Sequence, residues 1–488
     1  MTNKIPTIIL FACTLAFFFS CQKEEFITDS SAKLEFSLDT ITYDTVFTTI
    51  GSTTRQIRVY NRHKESIRIS SIRIAGGDNS YFRMNVDGQP ANSVTNVEIA
   101  GKDSIYIFVE VTVDPQNNNS PVLINDSIVF ETNGNIQDVN LVAFGQDVHL
   151  INGEYIQTST WTNDKPYLVY NSLAVDSNQI LTIEAGTKIY SHKGSVFYVY
   201  PTATLIVNGT KEAPVLFKGD RLEEMFKEIP GQWGYIHLTA GSKNNKINYA
   251  VIKNGIAGIV VDTVASTTEP TLRLSNTIIQ NMSSVGLSAR GSRVICYNSV
   301  FANCADYAVS LAYGGEAEFY HCTIANYWGI SGENRSTPSL LLNNYYAYKD
   351  NSGVTHVSPR ALNKAYFGNC IIWGNRESEV EFDNKFNYQI ISAPFVYKFE
   401  NCLIRLESEI NTSDQNYFKN IILNEDPNFK STYFPDFDFQ LDTLSPCKEM
   451  GNLQIINDHL ELPLSYDLNG NSRPNGTEPD LGAYERQE

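Results

Sequence analysis

The most constraining feature of this sequence is a short motif that recurs through its central part. It reads as a polar residue, a small residue and two or more apolar residues in "NTIIQN" (Asn276), "NSVFAN" (Asn298), "HCTIAN" (His321), "NCIIWGN" (Asn369) and "NCLI" (Asn401). Ile278, Val300 and Thr323 are 22 and 23 residues apart, and Ile371 follows Thr323 by 48, which is two periods or one period with an insertion. A fixed period of this size is the signature of a solenoid, in which each repeat buries its apolar face against the next.

Aligning the repeats sorts their residues by direction, because alternate side chains of a strand share a face. Three columns with this spacing are predicted to point inward. The first is small, the second is large and apolar, and the third is asparagine: Thr277, Ser299, Cys322, Cys370, Cys402; Ile279, Phe301, Ile324, Ile372, Ile404; Asn281, Asn303, Asn326. The intervening column is predicted to point outward: Ile278, Val300, Thr323, Ile371, Leu403.

Residues 181–219, "LTIEAGTKIYSHKGSVFYVYPTATLIVNGTKEAPVLFKG", place glycine corners at Ala185-Gly186-Thr187 and Asn208-Gly209-Thr210. This stretch resembles the opening coils of bacterial right-handed parallel β-helices. The resemblance extends to "GQWGYIHL" at Gly231. It implies a right-handed parallel β-helix over 148–450, a scaffold that many polysaccharide lyases and glycoside hydrolases share.

The N-terminal part has a different texture. Segments such as "TRQIRVYNR", "SIYIFVEVTVDP" and "DVNLVAFGQD" alternate apolar and polar residues between Gly, Asn, Asp and Pro. This pattern predicts an antiparallel β-sandwich of about seven strands over 33–147. The segment resembles immunoglobulin-like (Hydin-type) modules of envelope proteins, with Asn61 after a strand and Gly76-Gly77 before Phe82. The whole chain is thus expected to be all-β.

The first residues predict export and lipid attachment. Residues 1–20 form a signal peptide, with Lys4 before an apolar run that is too short to span a membrane. Ser20-Cys21 followed by "QKEEF" resembles the lipobox of Bacteroidetes surface lipoproteins, although Phe18 stands where leucine is usual. The resemblance implies acylation of Cys21, and residues 21–32 are expected to form a tether. We therefore expect the protein to face the exterior of the outer membrane, held there by the lipid on Cys21.

Charge and cysteine content exclude several functions. The formal charge is -17, from 37 basic and 54 acidic residues, so that nucleic acid is not an expected partner. Apart from Cys13 and Cys21, the cysteines form no CxxC pair. Those in the small inward column are predicted to be buried thiols. The disulfide state of Cys296 and Cys304 stays open.

The C-terminal residues also have a family resemblance. "SPCKEMG" (Ser445) and "DLNGNSRPNGTEPDLGAYE" (Asp467) resemble the runs that end many Bacteroidetes β-helix proteins. A solenoid needs its open end covered to prevent pairing with another chain. Residues 451–488 are therefore expected to cap the last coil.

The best candidate for a ligand site is the insertion within the 48-residue interval, at residues 332–360. "NNYYAYKDNSGVTHVSPR" collects aromatic and basic side chains that suit stacking on sugar rings and pairing with an acidic glycan: Tyr345, Tyr346, Tyr348, Lys349, His356, Arg360. The alternative is an ordinary side loop whose tyrosines pack back on the solenoid. The length of the insertion is the argument for a binding loop, because long loops in compact domains often bind ligands.

A row of carboxylates follows the "NCIIWGN" coil. Glu377, Glu379, Glu381 and Asp383 alternate with apolar residues, so they should share the outward, solvated face while Val380 and Phe382 turn inward. Glu379, Glu381 and Asp383 are also candidate ligand residues, because the row lies next to the insertion. Ca²⁺ is conceivable there, but the sequence does not support a metal, and no cofactor is expected.

Three functions remain after this survey. The leading hypothesis is a surface lipoprotein that binds a glycan or another surface ligand without catalysis. The second is a polysaccharide lyase or glycoside hydrolase on the same scaffold, and the third is a structural envelope protein. The sequence contains no GxSxG, P-loop, dinucleotide or HExxH motif, and no catalytic residue is assigned. Carboxylate pairs or a base beside a cation would be needed for cleavage of a glycan.

Overall fold

The computed structural model describes residues 25–115, 117–263, 269–329 and 335–487. The chain divides into two compact units, residues 1–147 and 148–488. The predicted signal peptide, Cys21 and the first residues of the predicted tether lie outside the described residues. Within the described ranges, no helix combines the length and apolar character that a membrane crossing requires.

The N-terminal unit is a sandwich of two five-stranded sheets, which is more strands than the sequence predicts. One sheet has the order Glu35–Phe36, Arg55–Tyr60, Ser104–Val111, Phe82–Val86, Gln89–Pro90. The other has the order Thr40–Phe47, Asn135–Gln146, Val122–Thr132, Ile67–Ile74, Ser93–Ile99. The pairing is antiparallel except between Thr40–Phe47 and Asn135–Gln146, which run parallel. Alternate residues such as Ile105, Ile107 and Val109 are buried between the sheets, as the period of two requires.

The second unit is a parallel β-helix whose coils have three faces. Face A comprises Lys188–Ser191, Val215–Gly219, Ala250–Lys253, Ile278–Met282, Val300–Cys304, Thr323–Asn326, Ile371–Gly374, Leu403–Ile404, Ile422–Leu423. Face B comprises Phe197–Val199, Ile236–Leu238, Ile259–Val261, Leu287–Arg290, Val309–Ala312, Leu340–Asn343, Val380–Asp383. Face C comprises Ser159–Trp161, Ile180–Glu184, Thr204–Asn208, Asn245–Asn248, Leu272–Ser275, Arg293–Tyr297, Gly315–Tyr320, Leu362–Gly368, Lys398–Glu400, Phe418–Lys419.

A few elements complete the unit. His149–Ile156 and Tyr167–Val175 are long strands at the first coils, and Tyr167–Val175 pairs with both face A and face B. Three antiparallel hairpins project from the coils: Tyr345–Lys349 with Thr355–Pro359, Lys385–Phe386 with Gln389–Ile390, and Phe429–Ser431 with Asp438–Leu441. Among the described residues, the α-helix is Leu453–Asp458, and short 3-10 turns are Gly77–Asn79 and Glu224–Phe226.

The inward columns predicted from the repeat are confirmed. The small column and the large apolar column are both fully buried along face A, including Cys322 and Phe301. On face C the rings of Phe319, Phe367, Phe399 and Phe418 stack coil upon coil, with centroids 5.0, 4.9 and 5.6 Å apart. Because the coils are in register, one residue type can repeat along the axis and still fill the core.

Asparagines occupy the corners at both ends of the face A strands. Asn254, Asn281 and Asn303 at one end, and Asn276 and Asn298 at the other, have positive φ, a conformation that asparagine tolerates better than most residues. The Asn281 amide donates to Asn254 Oδ1 at 2.6 Å on the preceding coil. His321 replaces asparagine at the second corner and accepts from Asn369 Nδ2 at 2.9 Å, consistent with a structural role.

The outward column of face A is covered by the C-terminal segment. Val300, Ile371 and Leu403 are at most 1% exposed because they pack against Leu481 and neighbouring residues of that segment. The backbone N–H of Ala483 also donates to Thr323 Oγ1 at 3.0 Å. The sequence predicts these residues over the open end of the solenoid, but these contacts place Leu481 and Ala483 along its flank. The physical reason is that the outward column of face A is apolar, so another segment has to shield it from solvent.

The six cysteines from Cys296 to Cys447 are all buried and free. Cys322, Cys370 and Cys402 stack on successive coils, where the backbone N–H of each of the first two faces the sulfur of the next at 3.4 Å. Burial raises the pKa of the Cys370 and Cys402 thiols well above the ordinary value. The thiols therefore act as small core residues.

Candidate functional site

The predicted binding loop is a β-hairpin that leaves the solenoid between face B and face C. Its strands are Tyr345–Lys349 and Thr355–Pro359, paired antiparallel. The base of the hairpin is fixed by the backbone bond from Arg360 N to the Asn344 carbonyl, at 2.8 Å. The Tyr345 hydroxyl donates to Asp383 Oδ1 at 2.9 Å. These bonds hold the hairpin against the following coil.

One side of the hairpin carries a row of rings. Tyr346 meets Tyr313 edge-on at 4.9 Å between centroids and stacks with Tyr348 at 5.5 Å. Tyr348 stacks with His356 at 5.1 Å, and His356 Nε2 lies 2.7 Å from Asp350 Oδ2. Tyr346 and Tyr348 are 36% and 46% exposed, so that each presents an open ring surface. Lys349 lies exposed at the tip.

A groove lies between the hairpin and the turns that join face B to face C. It encloses a volume of about 590 Å³ and is lined by Tyr346 and Arg360 from the hairpin side. The opposite wall comes from turns of three successive coils and supplies most of the charge: Asp262, Thr263, Arg290, Gly291, Ser292, Arg293, Tyr313, Gly315, Glu316. A groove of this size can accept a sugar residue between aromatic and charged walls.

Two of the three groove arginines have carboxylate partners. Arg290 Nη2 lies 2.7 Å from Asp262 Oδ1, and Arg293 Nε lies 3.3 Å from Glu316 Oε2. The Arg360 guanidinium donates to the carbonyl of its neighbour Pro359, at 3.4 Å, and has no carboxylate partner in the part of the chain that the structure describes. The groove therefore has one cationic group in excess, although the whole chain carries -17.

Asp262 is the centre of a small polar cluster at one end of the groove. Its second oxygen lies 2.8 Å from His237 Nε2 on the preceding face B strand. Burial alone would raise the pKa of Asp262, but the His237 hydrogen bond and the Arg290 charge outweigh it and lower this pKa. Asp262 is thus held as a carboxylate that orients Arg290 and His237.

Glu381 and Asp383, two further candidate ligands, are half-buried and already bonded within the protein. The Tyr307 hydroxyl donates to Glu381 Oε2 at 2.8 Å, and Asn343 Nδ2 donates to Asp383 Oδ2 at 2.8 Å. Burial and the Asp383 charge raise the pKa of Tyr345 to about 12. These bonds position the hairpin and the last coils, and neither carboxylate lines the groove.

The prediction for Glu379 is wrong. Its side chain is fully buried and forms a double ion pair with Arg335, with oxygen–nitrogen distances of 2.7 and 2.9 Å. Glu379 also accepts from the backbone N–H groups of Ser339 and Arg376, each at 2.8 Å. The residue precedes its strand, so the alternation does not reach it, and a buried arginine from the insertion neutralises it. Two expectations for this row are confirmed, because Val380 is buried and Glu377 is exposed, whereas Glu381 and Asp383 are half-buried and not fully solvated.

The structure brings together only part of the predicted site. Tyr346 and Arg360 line the groove, whereas Tyr348, Lys349 and His356 lie elsewhere on the hairpin. Sequence reasoning missed the opposite wall, including Arg290, Arg293 and Tyr313. Aligning the glycine-containing turns "ARGSR" and "AYGGE", rather than the asparagine corners alone, would have placed these residues on one edge.

Within the described ranges, no three His, Cys, Asp or Glu side chains converge closely enough to hold a metal ion. The groove instead offers guanidinium groups, phenol rings and backbone atoms. This combination suits a neutral or anionic polar ligand that is recognised by hydrogen bonds and stacking.

Comparison with known proteins supports the scaffold. Residues 153–260 match the family model for a pectate-lyase-like beta helix domain. No curated protein matches the chain. The match covers the first coils and ends at face B, two residues before Asp262.

Solved structures align only with short portions of the chain. A family 123 glycoside hydrolase from Clostridium perfringens is 10% identical over 24% of this chain and 26% of its own, with a TM-score of 0.17. The PapD-like domain 7 of human CEP192 is 10% identical over 26% of this chain and 92% of its own, also at 0.17. The periplasmic chaperone SfaE is 16% identical over 23% and 58%, at 0.16. This chain thus covers about a quarter of the hydrolase, and TM-scores this low do not establish a shared fold.

Proposed function

We propose that this protein binds an acidic polysaccharide in the hairpin groove without cleaving it. The observation that carries the proposal is the lining of the groove, where Arg360 has no carboxylate partner among the described residues and lies beside the exposed ring of Tyr346. An arginine can form two parallel hydrogen bonds to a carboxylate, and a tyrosine ring can stack on a sugar face. A uronic acid residue presents both groups.

The charge balance supports an anionic ligand. Arg290, Arg293 and Arg360 face only Asp262 and Glu316 within the groove. The rest of the protein is strongly acidic and repels polyanions at long range. The positive excess in the groove would therefore determine where an acidic polysaccharide binds. Salt should therefore weaken binding at this groove.

Binding without cleavage is favoured by the state of the acidic groups. Asp262 is engaged by Arg290 and His237, and Glu316 pairs with Arg293. A lyase on the same scaffold is the second candidate, because residues 153–260 match a pectate-lyase-like model and His237 lies within 3.5 Å of Arg290. Such an enzyme would use a base beside a cation that neutralises the uronate carboxylate.

Titration calorimetry with polygalacturonate, alginate and a neutral glucan tests the proposal. We expect binding of at least one acidic polymer and none of the glucan. Arg360→Ala should weaken that binding about 10-fold, as loss of a hydrogen bond to a charged group predicts. Lys349→Ala is the matched control, because this cation lies on the same hairpin but does not line the groove.

Two results would refute the proposal in different ways. Equal affinity of the Arg360→Ala and Lys349→Ala variants for the acidic polymer would show that the groove does not bind it. Release of unsaturated sugars or new reducing ends from the bound polymer would show that the protein is a lyase or a hydrolase and not a non-catalytic binding protein. Incubation of the purified protein with each polymer, followed by a reducing-end assay, provides that second readout.

We further propose that lipid on Cys21 holds the protein at the outer face of the outer membrane. The lipobox-like sequence around Cys21 supports this location. Metabolic labelling with a radioactive fatty acid should mark the wild type and not Cys21→Ala. Proteinase treatment of intact cells should remove the protein, and full protection would contradict a surface location.

A further inference from the structure

A second cavity lies at the opposite edge of face C from the hairpin groove. It has a volume of about 480 Å³. One wall comes from four successive face C strands and the corners that follow them, and the other comes from Pro463, Tyr466 and Gly470 of the C-terminal segment. We call it the face C cavity.

The face C cavity places two cations side by side. Lys246 and Arg273 are direct partners in the parallel register of adjacent face C strands, so their side chains leave the sheet on the same face. Neighbouring like charges on a sheet repel each other. Arg273 reaches Glu269 only at 3.6 Å, with side chains 35% and 62% exposed, a geometry that contributes little. Lys246 has no carboxylate partner among the residues that the structure describes.

The cavity lining contains no carboxylate. The charged side chains of the lining are therefore Lys246 and Arg273, although Asp467 and Glu212 lie close enough to act on the lining residue Tyr249. A third cation lies at its margin, because Lys211 Nζ is 3.6 Å from the position that a Cβ on Gly470 would occupy. The nearby Asp467 is fully buried, and its oxygens accept from the backbone N–H groups of Asn471 and Glu485 at 2.6 and 2.8 Å. Asp467 is therefore committed to the fold.

The remaining lining suits a sugar. Tyr466 is 57% exposed, and Tyr297 lies half-buried on the opposite wall. Below them, Asn248 Oδ1 accepts from Ser275 Oγ at 2.9 Å and from Asn276 Nδ2 at 2.8 Å, which forms a fixed polar floor. Aromatic side chains can cover a pyranose face while the floor meets its hydroxyl groups.

We propose that the face C cavity binds a uronic acid residue, with the sugar carboxylate between Lys246 and Arg273. The anion would relieve the repulsion between the two cations, and Tyr466 would cover the ring. This site is separate from the hairpin groove and does not depend on it. A chain with both sites would hold one long acidic polymer, or two polymers, at two points and so gain avidity.

Calorimetry with trigalacturonate tests this site on the full chain. The informative variant is Lys246→Gln with Arg273→Gln, and the matched control is Lys188→Gln with Lys193→Gln, two exposed cations on the same β-helix. We expect the first double variant to lose one binding equivalent, or to bind at least about 10-fold more weakly at that site, as loss of charged hydrogen bonds predicts. The control should bind as the wild type does.

The same variants separate this inference from the proposed groove. Arg360→Ala weakens groove binding and leaves the face C equivalent unchanged, so failure of either site is seen on its own. Unchanged stoichiometry and affinity in the Lys246/Arg273 variant would overturn the face C site. Binding of maltotriose as tightly as trigalacturonate would show that the face C cavity does not prefer an acidic sugar. Binding of sulfate alone to the same extent would show that the cavity does not recognise the sugar.

Thermal unfolding without ligand confirms that the variant folds. Replacing both repelling cations should leave the unfolding temperature unchanged or slightly higher. Trigalacturonate should then raise the unfolding temperature of the wild type more than that of the variant, because a ligand that binds only the folded state stabilises it.

Discussion

The buried pair of Glu379 and Arg335 allows a quantitative prediction about the insertion that carries the hairpin. Arg335 Nη1 donates to the Thr337 carbonyl at 2.6 Å, and Arg335 Nη2 donates to the Asn326 carbonyl at 2.9 Å. Arg335 lies at the start of the described part of the insertion, and its bond to Asn326 connects the insertion to face A. Both side chains are fully excluded from solvent.

Glu379→Ala should destabilise the β-helix by about 3–5 kcal/mol, because it leaves the Arg335 charge buried without a counter-charge. It also removes the acceptor for two backbone N–H groups. Replacing both residues together, as Arg335→Met with Glu379→Leu, should cost less than the single change, because an apolar pair needs no neutralisation.

Urea denaturation followed by tryptophan fluorescence measures this difference. All four tryptophans, Trp161, Trp233, Trp328 and Trp373, lie in the second unit, so the signal reports on the β-helix and not on the sandwich. Glu377→Ala is the control, because Glu377 is exposed two residues away and should change the free energy of unfolding by less than about 0.5 kcal/mol. A cost below about 1 kcal/mol for Glu379→Ala would refute the reasoning, because such a value belongs to a solvated carboxylate.

Three further predictions concern the core and its edge. Phe367→Ala should cost about 3–5 kcal/mol in the same urea assay, because it opens a gap in the phenylalanine stack, and a loss below 1 kcal/mol would contradict tight packing there. The six buried thiols should resist Ellman's reagent in the native protein and react in urea, and rapid native labelling would contradict their burial. The Lys364 and Tyr320 hydrogen bonds outweigh the burial that would raise the pKa of Glu318, and they lower it below its ordinary 4.5. Its stabilising effect should therefore be complete above pH 4.5 and fall as pH drops through the lower, folded-state pKa. Glu318→Gln should reduce the loss of unfolding free energy at acid pH, and an unchanged pH dependence would contradict the lowered pKa of Glu318.

The repeat alone was enough to predict the inward columns. Ile279, Phe301 and Ile324 recur at intervals of 22 and 23 residues that stacked coils explain, and all three are buried. The repeat also led to the insertion and its tyrosines. These inferences succeed because strand alternation and coil length are local properties of the chain.

The candidate site was only partly predictable, because its residues are far apart in the sequence. Arg290 and Arg293 are 56 and 53 residues before Tyr346, and no local pattern relates them to it. The burial of Glu379 depends on an arginine 44 residues away. Alternation assigns a side to a residue within a strand and does not apply to one just before it.

The sequence by itself determined an all-β chain, a sandwich followed by a solenoid, and the identity of the residues that fill the coils. Only the tertiary structure decided where the C-terminal segment packs, which carboxylate is buried, and which cations line the hairpin groove and the face C cavity. Composition and periodicity describe how each residue relates to its neighbours along the chain. Charge pairing, cover and cavities depend on residues that meet only after the coils have stacked.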